Sequence, residues 1–91
     1  MAFDGEAGTV QCIAVVVRPD PGALPRVIEP FAKLGLVPLS VTSRLFAEAE
    51  KLAIDIQIAG MTRQQGQRVA TLIGSWPTTL QVVLGSKVAQ E

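Results

Sequence analysis

Hydrophobic and polar residues follow four strand-like and two helix-like patterns along the chain, separated by turns rich in glycine, proline or polar residues. The first pattern covers residues 10–17, which are rich in valine and isoleucine and are soon followed by Pro19. A short β-branched run that stops near a proline predicts a β-strand. It is apolar on both faces except at Gln11, which is typical of a central strand covered on each side.

The next segment carries helical signals. Asp20 is a suitable N-cap residue, and Pro21 fits the first helical position, where a missing N–H has no consequence. Apolar residues then recur with the i, i+3, i+4, i+7 spacing of a one-faced helix. They are Leu24, Val27, Ile28, Phe31 and Leu34. Gly35 suits the C′ position that ends a helix. Pro30 should kink the axis, but the periodicity continues beyond it, so we predict one bent helix.

Two alternating segments follow and predict an antiparallel hairpin. Within residues 36–46, the side chains of Leu39, Val41 and Leu45 share one face. Pro38 favours an edge position for this strand because proline cannot donate to a neighbour. A polar turn, AEAEK, leads to a second strand with its own apolar face, formed by Leu52, Ile54, Ile56 and Ile58. One face of the hairpin is therefore expected to pack on the core.

A second helix and a last strand complete the pattern. Thr62 is the predicted cap of this helix, Gly66 weakens it, and Pro77 ends it. Its inward-facing residues are Val69, Leu72, Ile73 and Trp76. Apolar alternation at Leu80, Val82 and Leu84 then predicts the fourth strand.

The predicted element order is β-α-β-β-α-β. Right-handed crossovers place both helices on one face of a four-stranded antiparallel sheet, which is the ferredoxin-like α+β arrangement. The first and third strands are central in this topology, in agreement with the apolar character of residues 10–17. We predict a single domain over residues 9–85, preceded by a flexible lead at 1–8 and followed by a loose tail at 86–91.

Composition adds an expectation about assembly. The chain has 91 residues, of which 48% are hydrophobic. A domain of this size cannot bury all of its apolar surface alone, so we expect a second copy to cover one face or edge. Basic and acidic residues number eight each, which leaves no net charge. Because binders of nucleic acids and anionic membranes usually carry basic surfaces, we expect neither partner.

Cysteine content and hydropathy indicate the compartment. Cys12 is the only cysteine and lies in an apolar run, as is typical of a small buried hydrophobic residue. Neither an internal disulfide nor a cysteine-cluster metal site is therefore expected. Residues 1–8 lack the basic and apolar regions of a signal peptide, and no apolar run approaches the ~20 residues that span a bilayer. We expect a cytoplasmic location.

Residues with catalytic potential form no recognisable set. The chain has no histidine, the commonest general base and metal ligand. Glu48 and Glu50 fall in the predicted hairpin turn, where solvent exposure explains them. Paired thiolates for a metal carrier and strand aromatics for RNA binding are both missing. We expect no enzyme activity, no catalytic or metal-binding residues and no cofactor. A pocket uniting Arg18, Asp20 and Asp55 would favour an enzyme instead.

The loop RPDPG at residues 18–22 is the best candidate for ligand binding. The start of a helix presents unpaired N–H groups and a partial positive charge, which suit a carboxylate. Gly22 allows close approach to the backbone, and Asp20 offers a partner for an ammonium group. An amino acid supplies both groups. The alternative is that Pro21 and Gly22 only form a tight junction between strand and helix.

The segment PGALPRVIEPFAKLGLVPLSVTSR, residues 21–44, resembles the ACT domain, a small amino-acid-sensing regulatory module. The nearest form is that of the regulatory (small) subunit of acetolactate synthase. The likeness lies in a Gly-Ala-Leu-x-Arg-Val-Ile opening, a later Phe, a helix-ending Gly and a Ser-x-Thr strand. It implies a homodimer in which the second strands of two copies pair into one continuous sheet. It also implies an amino-acid effector between the first loop of one copy and the edge strand of the other.

Carried over residue by residue, the resemblance implies a ligand-binding site formed by Pro19, Asp20, Gly22, Ala23 and Val37. Gly22 takes the close-approach position. Branched-chain-sensing relatives tend to carry Asn at the places of Pro19 and Val37, and neither of these side chains forms hydrogen bonds. Two hypotheses follow: an amino-acid sensor that regulates a biosynthetic enzyme, or a ligand-free dimerisation module with a degenerate site.

Overall fold

The computed structural model describes residues 9–88 and contains the elements in the predicted order. The strands are β1 (Thr9–Val17), β2 (Ser40–Phe46), β3 (Lys51–Ala59) and β4 (Thr79–Val88). The helices are α1 (Ala23–Lys33) and α2 (Arg63–Gly74). The predicted lead at 1–8 and residues 89–91 of the predicted tail lie outside the described residues.

The four strands form one antiparallel sheet in the order β2-β3-β1-β4, with both helices on one face. This arrangement confirms the ferredoxin-like fold and the central positions of β1 and β3. It leaves β2 and β4 as the two edges. β1 pairs with β4 from Thr9↔Val88 to Val17↔Thr79. Residues 86–88 therefore belong to the sheet, and the prediction that they are part of a loose tail is wrong.

The core lies between the sheet and the helices. Ile13 and Ile56 face each other across β1 and β3, and each is only 1% exposed. Phe31 of α1 and Ile73 of α2 are completely buried in the same cluster. Full burial of each such side chain stabilises the fold by about 1.5–3 kcal/mol. The alternation of apolar residues in β3 thus predicted the core face correctly.

The second face of β1 differs from the prediction. Cys12, Ala14 and Val16 point away from the helices and are half-buried. No helix among residues 9–88 covers this side of the sheet. The side chains are shielded by the flanking strands β3 and β4. The apolar character of β1 reflects its central position rather than a second layer, and Cys12 is not fully buried.

Helix α1 begins two residues later than predicted. Its N-cap is Gly22, and no side chain caps the helix. Asp20 instead accepts a hydrogen bond from the Gly22 N–H through Oδ1 at 2.7 Å, and its carbonyl accepts from the Ala23 N–H at 3.0 Å. Such a local turn, closed by an aspartate side chain, competes with helix formation. The predicted helical position of Pro21 and capping role of Asp20 are therefore wrong.

The end of α1 follows the prediction. Gly35 has a φ of +73°, the left-handed conformation that favours glycine after a helix. The Leu36 N–H donates to the Phe31 carbonyl at 3.1 Å, and the Gly35 N–H donates to the Ala32 carbonyl at 3.0 Å. These two bonds form a Schellman motif. The helix also continues through the buried Pro30 as one element.

Helix α2 is capped as predicted and packs against the sheet at Gly66. The Thr62 side chain accepts from the Gln65 N–H, and the Gln65 side chain accepts from the Thr62 N–H, each at 3.0 Å. Gly66 is buried, and a Cβ there would lie 3.3 Å from both Leu84 Cδ1 and Met61 Cε. The glycine that lowers helix propensity therefore lets α2 approach β4.

Candidate functional site

The first loop, residues 18–22, is held in place by its own contacts. The Arg18 N–H donates to the Thr78 carbonyl at 2.9 Å and joins the loop to the segment before β4. Asp20 Oδ2 lies 3.5 Å from Nη1 of Arg26, and both side chains are partly exposed. The Asp20 carboxylate thus contacts the Gly22 amide and the Arg26 guanidinium together.

These contacts occupy two of the backbone donors that were predicted to receive a ligand. The Gly22 and Ala23 amides both bind Asp20, and Pro25 has no N–H to offer. The Ala23 side chain is buried in the core, so it does not line the loop. A ligand carboxylate at Gly22 would have to displace the carboxylate of Asp20. The structure therefore shows that Asp20 satisfies two of the donors at the helix start, the Gly22 and Ala23 amides.

Gly22 itself has an ordinary backbone conformation, with φ −91° and ψ 0°. An added Cβ would lie 3.2 Å from Arg26 Nη2 and 3.3 Å from Asp20 Oδ1. Both of these atoms are at the ends of side chains that can move. The conformation does not require glycine here, and the space beside Gly22 is filled by the Asp20–Arg26 pair.

Val37 lies at the opposite end of the sheet from the first loop. Ser40, at the start of β2, pairs with Gln57 of β3. Gln57 in turn pairs with Cys12, near the start of β1. Pro19, in contrast, follows the end of β1. From Cys12 to Val17, the last residue of β1, the strand extends about 17 Å at ~3.3 Å per residue. Within one chain the predicted site is therefore split into two separate parts.

The edge strand β2 has the most exposed apolar surface. All of its residues are exposed. Large exposed hydrophobic side chains on and before this strand are Leu34, Val37, Leu39, Val41, Leu45 and Phe46. Val37 is 84% exposed and Leu39 is 60% exposed. Isolated exposed hydrophobic residues are ordinary, but a concentration along one edge indicates an interaction surface.

The β2 edge also lacks the features that usually prevent pairing. It contains no proline, and its only charged residue is Arg44. The Arg44 guanidinium lies over the Phe46 ring, 5.3 Å from the centroid. Natural edge strands are commonly protected by prolines, bulges or several charges. The backbone of β2 is therefore available to another strand.

A groove that sequence reasoning missed separates α2 from the other edge strand, β4. Its wider part has a volume of about 720 Å³ and is lined by Gln67, Thr71, Gly74 and residues 79–82, among others. A narrower pocket of about 260 Å³ shares Gln67 and Leu84 with it. Its other lining residues are Gln11, Arg63, Gly85 and Ser86. In the sequence, Gln11 could have indicated this groove, because it is the polar residue in the otherwise apolar run 10–17.

The residues proposed for an enzyme do not converge. Asp55 lies in the middle of β3, level with Ala14 and Thr42, on the sheet face that points away from the helices. Asp20 instead binds Arg26 of α1. Within residues 9–88, no group of three metal-ligating residues lies close enough to hold an ion. None of the described helices is long and apolar enough to cross a membrane.

Comparison with solved structures supports the fold. The C-terminal domain of the MgtC protein from Mycobacterium tuberculosis superimposes with a TM-score of 0.72 at 13% identity, covering 97% of this chain and 98% of that one. The uncharacterized protein TM1266 from Thermotoga maritima gives a TM-score of 0.64 at 12% identity, covering 89% and 96% of the two chains. No protein-family model and no curated protein sequence matches this chain. The class that these findings define is a small ferredoxin-like α+β domain.

Proposed function

We propose that this chain is a non-catalytic regulatory domain of the ACT type that acts as a cytoplasmic homodimer. The resemblance of residues 21–44 to that family and the ferredoxin-like fold support the proposal. The observation that carries it is the exposed apolar edge at β2. Pairing of two β2 strands satisfies their backbone groups and covers side chains such as Leu39 and Leu45.

The split position of the predicted site also favours this dimer. A two-fold axis beside the middle of β2 makes the two copies of the strand antiparallel, so that Ser40 of one copy lies opposite Phe46 of the other. Val37 then lies toward the end of the partner at which the first loop is found. An amino acid bound at the interface between the two copies contacts the Gly22 backbone of one copy and the apolar Val37 of the other. Its ammonium group pairs with Asp20.

In this proposal the domain regulates an enzyme of amino-acid biosynthesis, as the family resemblance implies. The similar MgtC structure is that of a C-terminal domain, which shows that this fold occurs as one part of a longer protein. A small dimeric domain controls a partner when effector binding changes the geometry between its two copies.

A second candidate is a ligand-free dimerisation module. It is favoured by the 2.7 Å hydrogen bond between Asp20 and the Gly22 amide, which already satisfies the donor intended for the effector. In this case β2 pairing is retained, and the first loop is only a junction between strand and helix.

Two measurements on the chain separate these candidates. Analytical ultracentrifugation gives the oligomeric state, and calorimetry against the twenty amino acids detects an effector. A dimer that binds an amino acid supports the sensor. A dimer that binds none of them supports the dimerisation module. A monomer at all concentrations tested contradicts both.

A further inference from the structure

A depression of about 280 Å³ lies between helices α1 and α2 on the outer surface of the helix layer. Its lining comes from the end of α1 and from one face of α2. The lining residues are Pro30, Lys33, Leu34, Gln65, Arg68, Val69 and Leu72. Pro30 and Val69 are buried and form its floor. The two helices thus present one shared apolar surface to the outside of the domain.

Two leucines at this depression are exposed although the sequence pattern places them with the core. Leu34 belongs to the apolar periodicity of α1, and Leu72 to that of α2, yet they are 42% and 48% exposed. Ile73, the neighbour of Leu72, is completely buried, so α2 has a core face that does not include Leu72. Single exposed leucines are ordinary, but two that line the same depression indicate an interaction surface.

Each of these leucines has a positive charge beside it. Lys33 directly precedes Leu34, and Arg68 lies four residues before Leu72, on the same face of α2. Both cations are exposed. Glu29 lies four residues before Lys33 on α1, but exposed pairs of this kind are weak, so Lys33 remains available to a partner. Two cations at the rim of an apolar surface are complementary to an anionic partner that also has apolar side chains.

The shape of the depression favours a protein segment over a small molecule. Sites for small molecules bury most of the ligand surface, whereas this depression is open to solvent at both Leu34 and Leu72. A helix that lies in the groove between two helices packs its side chains between theirs. Amphipathic helices bind to apolar grooves in this way, with anchoring side chains that recur at i, i+3, i+4 and i+7.

We propose that the depression between α1 and α2 binds an acidic amphipathic helix of another protein. Its aliphatic side chains contact Leu34 and Leu72, and its carboxylates pair with Lys33 and Arg68. The depression is formed by one copy of the chain. The inference therefore goes beyond the proposed function, because it requires neither the pairing of β2 strands nor an amino-acid effector.

A matched pair of synthetic peptides tests the proposal on the full chain. The first peptide has about 18 residues, long enough to form a helix, with leucine at the i, i+3, i+4, i+7 positions and alanine and glutamate elsewhere. The second has lysine in place of each glutamate. Titrations at physiological ionic strength limit long-range attraction. The glutamate peptide is expected to shift the NMR signals of Lys33, Leu34, Arg68 and Leu72, and the lysine peptide to bind at least tenfold more weakly.

Charge reversal in the protein identifies the contacts. Lys33→Glu and Arg68→Glu should each weaken binding of the glutamate peptide about tenfold, because an attraction is replaced by a repulsion. The double variant should prefer the lysine peptide. Arg63→Glu is the control, since it changes the net charge equally on the same helix but lies outside the depression. It should leave binding unchanged.

Leu72→Gln tests the apolar contact and should also weaken binding about tenfold, since the loss of a buried leucine at an interface is costly. The exposure of Leu72 in the free chain means that this variant should fold normally. Circular dichroism and thermal melts check the folding of every variant.

Four results would overturn the proposal. The first is the absence of saturable binding of the glutamate peptide at millimolar concentration. The second is equal affinity for the two peptides. The third is an equal loss of binding in Arg63→Glu and Arg68→Glu, which would show only general attraction between charges. The fourth is a set of shifts centred on β2 or β4, which would show that the peptide binds at a sheet edge. Sedimentation of the same samples tests β2 pairing separately, so either proposal can fail without the other.

Discussion

Asp20 accepts a hydrogen bond from the Gly22 amide at 2.7 Å, and so places a carboxylate of the protein where a helix start would otherwise receive one from a ligand. The same side chain lies 3.5 Å from Arg26. The first loop is thus stabilised by an internal anion. Any effector that binds through the Gly22 amide must compete with this contact, which makes Asp20 the residue that decides between the two functional candidates.

Removal of the Asp20 side chain tests this competition. Asp20→Ala should lower the free energy of unfolding by about 1 kcal/mol, since it removes a turn-forming hydrogen bond. In the proposed sensor Asp20 pairs with the ammonium group of the effector, so Asp20→Ala should lower amino-acid affinity. A rise in affinity would show instead that the effector uses only the Gly22 amide, which the substitution frees. Urea unfolding and calorimetry measure the two effects.

Arg26→Gln is the matched control, because it removes only the ion pair. The pair is partly exposed, so its loss should change stability by no more than about 0.5 kcal/mol. Asp20→Ala removes both the ion pair and the turn hydrogen bond. An equal loss in the two variants would therefore show that the ion pair, rather than the turn hydrogen bond, stabilises the loop.

Charge introduced at the β2 edge should prevent dimerisation without unfolding the domain. Leu45 is 58% exposed, so Leu45→Lys removes little buried surface from one copy. In the dimer the substitution places two positive charges at the interface between the β2 strands. This should weaken association at least tenfold, which corresponds to about 1.4 kcal/mol in the free energy of association. Sedimentation equilibrium measures the change.

Val83→Lys serves as the control for the edge experiment. Val83 is 50% exposed and lies on the opposite edge strand, β4. This variant should sediment like the wild-type chain. If Val83→Lys dissociates the dimer and Leu45→Lys does not, the two copies pair through β4 instead.

The helix-ending turn offers a test of backbone conformation alone. No atom lies within 4 Å of a Cβ at Gly35, yet its φ is +73°. Gly35→Ala should therefore destabilise the domain by about 1 kcal/mol through strain rather than steric contact. At Gly85 a Cβ likewise meets nothing within 4 Å, and its φ lies outside the left-handed range. Gly85→Ala should be neutral or slightly stabilising in urea unfolding.

The facing pair Ile13 and Ile56 should be energetically coupled. Each single change to valine should cost about 1 kcal/mol, because each leaves a small cavity in the buried sheet face. The double variant should deviate from the sum by at least about 0.5 kcal/mol, since the two cavities merge. Strict additivity in chemical denaturation would show that the two side chains relax independently. Val83→Ala, on the other sheet face, should change stability by less than about 0.5 kcal/mol.

The fold was predictable because each element has its own periodicity. The alternation at Ile54, Ile56 and Ile58 specifies a strand with one buried face, and Gly35 marks the end of α1. The start of α1 was not predictable to the residue. Asp20 is equally suited to cap a helix or to close a turn with the Gly22 amide, and the sequence does not decide between these.

The candidate sites depend on relationships that a linear pattern does not contain. Gln11 and Ser86 become neighbours only through the register of β1 with β4. The separation of Val37 from the first loop follows from the direction in which β2 runs. Gly66 was interpreted as a weak point of α2, whereas its role is to let the helix approach Leu84. Each of these facts requires the packed arrangement.

The pairing of β1 with β4 has a consequence for biosynthesis. The backbone N–H and C=O groups along one edge of β1 have no strand to pair with until β4 has left the ribosome, because β1 is paired along its length with β4. A nascent chain that ends before β4 exposes the apolar β1 backbone to other chains. Completion of the sheet, and with it protection of β1 from other chains, therefore waits until β4 has been synthesised.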